Sequence, residues 1–69
     1  MVEIFKTNID EQQQAEVLLK LLSQTFPEFK INFDLEDCDK VLRIEGSNVV
    51  PEKIMDLVKA KHYVCEVLN

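Results

Sequence analysis

Residues 29–46 read FKINFDLEDCDKVLRIEG. Phe29, Ile31, Phe33 and Leu35 alternate with Lys30, Asn32, Asp34 and Glu36, the period of a strand with one dry face and one wet face. After the polar turn at residues 37–40 (DCDK), Leu42 and Ile44 alternate in the same way with Val41, Arg43 and Glu45. Two such runs joined by a short turn make an antiparallel hairpin. Its apolar side has to be covered by other elements, so the fold depends on what flanks it.

On the N-terminal side, residues 2–7 mix β-branched and aromatic types in a short run and read as a strand. A helix follows. Asp10 is placed to cap it, Gln13 stands three residues later as in a capping box, and Glu11 puts negative charge at the positive end of the helix dipole. Ala15, Leu18, Leu19, Leu22 and Phe26 keep helical spacing, and Pro27 ends the helix. On the C-terminal side, Pro51 suits the first turn of a second helix whose buried stripe is Ile54, Leu57 and Val58. Residues 62–68 (HYVCEVL) form a last strand. Two right-handed strand–helix–strand crossovers then generate a four-stranded antiparallel sheet with both helices on one face. The expected class is α+β, a ferredoxin-like βαββαβ sandwich.

The chain has 69 residues, 46% of them hydrophobic, with one Gly and two Pro. That composition describes a single ordered domain over residues 1–69 and leaves no room for a second. A chain this short buries only about 60% of its unfolded surface, so good packing or a partner is needed. Two cysteines are too few for a disulfide scaffold. No basic-apolar leader opens the sequence, and no apolar run approaches the roughly 20 residues that span a bilayer. A reducing, cytoplasmic location without membrane insertion is expected. The formal net charge of -5 repels phosphate backbones, and no Lys/Arg cluster reverses it locally, so nucleic acid is not an expected partner.

Fold class alone implies no function. The residues add a resemblance. FKTNI (residues 5–9) leading into a helix, FDLEDCDKVLRIEG as the central hairpin, and VPEKIMDLVKAKHYVCEVL at the end resemble the heavy-metal-associated domains of copper chaperones and metal-pumping ATPases. The similarity covers nearly the whole chain. That family implies a buried methionine and a CxxC metal motif at the loop before the first helix. Laid on this sequence, Ile9 takes the methionine position, and Glu11 and Gln14 take the two cysteine positions. A soft ion such as Cu(I) needs thiolates, which a helix N-terminus helps keep deprotonated; a carboxylate and an amide do not replace them. The resemblance therefore implies a degenerate member without cofactor or metal at that site.

A rearranged ligand set is the alternative. In this topology the first loop, the hairpin turn and the end of the second helix share one end of the sandwich, so Asp10, Asp37, Cys38, Asp39 and His62 are candidates for one rim. A copper or zinc carrier or sensor using Cys38 and His62 is the runner-up reading. Against it, the residues lie in separate segments without ligand spacing, and DCD is an ordinary polar turn. Cys65 alternates with Tyr63 and Val67 and reads as a small buried side chain. Enzymatic chemistry has no foothold: one His, one Arg and one Gly supply neither a phosphate-cradling loop nor a nucleophile beside a base. A non-enzymatic protein-interaction module, binding another protein or a second copy as a homodimer, is the expected function. The resemblance implies that Phe5, Thr7 and Ile9 face inward, and alternation turns Cys65 inward; with that parity Val2, Ile4, Val64 and Leu68 stand on the open side of the sheet, as an apolar patch beside the polar Lys30, Asn32, Arg43 and Glu45.

Overall fold

The computed structural model of the chain describes residues 1–68. Its elements run β1 (Val2–Thr7), α1 (Gln12–Thr25), β2 (Lys30–Asp34), β3 (Val41–Glu45), α2 (Pro51–Ala60) and β4 (Cys65–Val67). The strands make one antiparallel sheet in the order β2-β3-β1-β4. This is the ferredoxin-like α+β arrangement expected from the hairpin and its flanking helices.

Strand parity decides the layers. Phe5 of β1, Leu42 and Ile44 of β3 and Cys65 of β4 are fully buried, and they join Ala15, Leu18 and Leu22 of α1 and Ile54 and Val58 of α2 in one cluster. A single cluster drawing on both helices and one parity of every contributing strand puts both helices on the same face. Each fully buried large side chain contributes about 1.5–3 kcal/mol, so this layer carries most of the stability. Ile9 and Val49 close it from the loops, both buried. Burial pushes the Cys65 thiol from 9.0 up to about 11. At neutral pH Cys65 is therefore protonated, a packing group and not a ligand.

Several local expectations are corrected. Asp10 does not cap α1: the N-cap is Glu11, in an extended conformation and without a side-chain cap bond. The carbonyl of Glu11 accepts the Ala15 amide at 3.1 Å, which makes Gln12 the first helical residue and moves Gln13 out of capping-box register. Phe26 lies just beyond the helix with φ -126, as a residue before proline does; its half-buried ring stacks on Phe29 with centroids 5.6 Å apart. Val41, on the wet parity of β3, is only 4% exposed. It is flanked by Asp34 on β2 and Lys6 on β1, and it stands outside the core cluster. Leu19 and Leu57 are half-buried and not fully enclosed. The last strand is limited to Cys65–Val67.

The end of α2 shows why His62 stands where it does. Its φ is 72, in the left-handed region. The His62 amide donates to the Lys59 carbonyl at 2.9 Å and the Tyr63 amide to the Val58 carbonyl at 3.4 Å. With Lys61 as C-cap, this is the Schellman pair of bonds. Glycine adopts that conformation freely, and a side chain does so at a cost. His62→Gly is expected to stabilise the fold by about 1 kcal/mol, roughly 4–8 °C in melting temperature for a domain of this size. A melt that stays level or falls would mean that the imidazole makes a compensating contact.

Candidate functional site

The first loop is built by FKTNI, and each residue has a traceable role. Phe5 fills the core. Thr7 is buried; its hydroxyl donates to the Lys40 carbonyl at 2.6 Å and accepts the Ile9 amide at 3.2 Å. The Thr7 amide donates to the Asp39 carbonyl at 3.1 Å. Asn8 Oδ1 accepts the Val64 amide at 2.9 Å. These bonds tie the first loop to the hairpin turn on one side and to the approach to β4 on the other. Sequence periodicity cannot see them, because Thr7 and Asn8 read only as the polar end of a strand. Ile9 is fully buried and anchors the loop from below.

Glu11 and Gln14, placed by this loop, start α1 one turn apart. Glu11 is exposed and Gln14 half-buried. The Gln14 Oε1 is enclosed and has no hydrogen-bond partner among the described residues. Gln14 borders a groove of ≈ 310 Å³ with Val17, Leu18, Leu21, Lys61 and Tyr63.

The Thr7 and Asn8 bonds tie the hairpin turn and the approach to β4 each to the first loop, and so to one end of the sandwich. A closer grouping is smaller than the rim expected. Ligand atoms of Asp37, Cys38 and Asp39 lie within 4.8 Å of one another, and neither Asp10 nor His62 belongs to the group. Asp37 Oδ1 already accepts the Asp39 amide at 2.9 Å. Asp39 Oδ1 lies 3.9 Å from Lys6 Nζ. Together with the Asp37 carbonyl accepting the Lys40 amide at 3.0 Å, these contacts are those of a polar turn. Lys40, with φ 48, completes it by donating from Nζ to the Leu35 carbonyl at 3.1 Å. Cys38 is exposed.

The open face of the sheet follows from the register. One row across the sheet holds Asn32, Arg43 and Ile4, and the Leu68 amide, donating to the Ile4 carbonyl at 2.8 Å, adds Leu68 at its end. The next row toward the loops holds Asp34, Val41, Lys6 and Glu66. Beyond it, Val64 pairs with Asn8. Val2 stands on the other side of Ile4, opposite Glu45. Val2 and Val64 are 48% and 44% exposed; Ile4 and Leu68 are half-buried and lie outside the residues packed on the core. The expected parity holds, but the four residues are not one patch. Val2, Ile4 and Leu68 are contiguous, and the Lys6–Glu66 row separates Val64 from them. The resemblance on β1 and alternation on β4 gave the face; only the cross-strand register gave the separation.

No family model, curated protein or solved structure matches the chain. The resemblance to heavy-metal-associated domains thus rests on the residues of its own sequence. Among the described residues no helix is long and apolar enough to cross a membrane.

Proposed function

We infer that this chain is a non-enzymatic domain of the heavy-metal-associated type that has lost thiolate coordination and works as a protein-interaction module. The observation that carries the reading is the apolar strip Val2–Ile4–Leu68, which lies on the open side of the sheet and outside the core. Aliphatic side chains that stay partly exposed and outside the core are suited to cover part of another protein. Glu11 and Gln14 at the family's ligand positions support the loss of metal function, since neither is a soft donor. The alternative, a metal carrier using Cys38 and His62, draws support only from the closeness of Cys38 to Asp37 and Asp39.

Ile4→Asp combined with Val2→Asp tests the strip. A melting temperature close to the parent's, with reduced partner capture, is the expected outcome for side chains outside the core. Collapse of the melt would make Ile4 a core residue. A folded variant with unchanged association would move the interface elsewhere.

A further inference from the structure

The sheet order leaves β2 and β4 as its edges. β4 is three residues long, and β2 is five. The direction of the free backbone groups on β2 can be worked out from the ladder. The Gly46 amide donates to the Met1 carbonyl at 3.0 Å. In an antiparallel pair such bonding alternates, so Gly46, Ile44 and Leu42 turn their backbone groups toward β1, and Glu45, Arg43 and Val41 turn theirs toward β2. Their register partners Lys30, Asn32 and Asp34 are consumed in return. Ile31 and Phe33 therefore present both N–H and C=O outward. At the two ends the edge closes: the Phe29 amide donates to the Phe26 carbonyl at 3.1 Å, and the Leu35 carbonyl accepts from Lys40 Nζ at 3.1 Å.

The side chains on this edge are self-complementary. Lys30 and Asp34 are symmetric about Asn32 and share the open face, all three exposed. Ile31 and Phe33 point to the helix side yet stay half-buried. Beside Phe33 α1 leaves a groove of ≈ 390 Å³ whose apolar side is Ala15, Leu19, Phe33 and Leu35 and whose rim is polar, with Glu16 and Glu36 among it.

We propose that two copies of this chain pair antiparallel through β2, about a two-fold axis at Asn32, into one continuous sheet. In that register Ile31 faces the partner's Phe33, and every outward amide and carbonyl of both residues is matched. Lys30 faces the partner's Asp34, and Asp34 faces the partner's Lys30. These are the non-hydrogen-bonded positions, where Cα atoms approach to about 4.5 Å and side chains are closest. The Asn32-centred register is the one that sets both charges of the strand against opposite charges on the partner's strand. Glu28 and Glu36, outside the strand, oppose extension beyond it and so limit the contact to β2. The partner's Ile31 and Phe33 come to lie beside the apolar side of the groove, formed by Ala15, Leu19, Phe33 and Leu35. This surface is on the sheet edge away from β4, so it is independent of the Val2–Ile4–Leu68 strip and of the module reading built on it.

Sedimentation velocity across a concentration series, on the unmodified chain, is expected to show a monomer–dimer equilibrium. Lys30→Asp sets like charges against the partner's Asp34, and Asp34→Lys sets them against the partner's Lys30. Each substitution should weaken dimerisation roughly tenfold or more. An equimolar mixture of the two single variants should recover dimers, as heterodimers, and the double exchange Lys30→Asp/Asp34→Lys should recover homodimers. Hydrogen exchange on the unmodified protein gives a readout that depends on no variant's folding: the Ile31 and Phe33 amides should gain protection as concentration rises. A chain still monomeric at about 1 mM, the weak end of specific association, overturns the proposal. So does a dimer in which those two amides exchange as in the monomer. Loss of dimerisation in Ile4→Asp but in neither charge variant overturns it too, and assigns self-association to the open face instead.

Discussion

Glu11→Cys together with Gln14→Cys is expected to give tight Cu(I) binding, where the parent chain retains no stoichiometric copper or zinc after reduction and chelation. The two positions stand one turn apart at the start of α1, on the same side of the helix. The exposed amides of that first turn lower thiol pKa values and so favour the thiolate that binds the metal. Ile9, buried beneath the loop, and the Thr7 and Asn8 bonds hold the loop without any metal, so the double variant should fold before it is loaded. Replacing Gln14 also removes an enclosed acceptor that has no partner among the described residues, and a thiol there has less polar surface to satisfy. Competition against a Cu(I) chelator and elemental analysis of both proteins are the measurements. A variant that melts like the parent and binds Cu(I) no better would show that residues 9–14 do not correspond to the metal loop of the heavy-metal-associated family. One equivalent of metal retained by the parent, and lost in Cys38→Ser or His62→Ala, would promote the rearranged site in its place.

The second large effect is on stability. Gly46→Ala is expected to cost about 2–3 kcal/mol, or roughly 10 °C or more in melting temperature. A Cβ at Gly46 would lie 2.5 Å from Cδ1 and 3.1 Å from Cε1 of Phe29. The ring is held in place, because it stacks on Phe26 and packs against the core. Gly46 also cannot withdraw, since its amide bonds the Met1 carbonyl at 3.0 Å. The need here is for space and not for unusual backbone, as no positive φ is involved. Phe29→Leu should relieve most of the clash, so Gly46→Ala with Phe29→Leu should lose less than the sum of the two single changes. Strict additivity of the melting data would mean that the ring and the glycine do not interact.

The sheet's edge and face carry separate expectations because different levels of structure define them. Alternation in residues 29–46 was enough to make the hairpin, and the helical spacing of Ala15, Leu18 and Leu22, and of Ile54 and Val58, was enough to cover it. These are contacts between near neighbours in sequence or along one stripe, where periodicity and burial are the same physical fact. For that reason the element order, the fold class and the inward parity of Cys65 could be read from periodicity, whereas the inward parity of Phe5, Thr7 and Ile9 came only with the resemblance to the heavy-metal-associated family. The helix cap could not. Residue type favours Asp10 as the cap, but Thr7 and Asn8 are bonded to segments 33 and 56 residues away, which fixes where the loop delivers the chain, and the helix starts from Glu11.

Interactions of that kind account for everything else the sequence left open. Val41 has the wet parity but is enclosed by its cross-strand neighbours. Val64 has the apolar type and the open face, yet a row of charge from β1 and β4 stands between it and Ile4. His62 is separated from the Cys38 group although both belong to the same end of the sandwich. The free backbone groups of Ile31 and Phe33 are set by a bond between Gly46 and Met1. The sequence by itself determined which residues are apolar, at what period, and therefore which layers form. Tertiary structure alone decided which side chains meet, because register and loop anchoring are set by pairings between residues far apart in the chain, and a period carries no information about its partner strand.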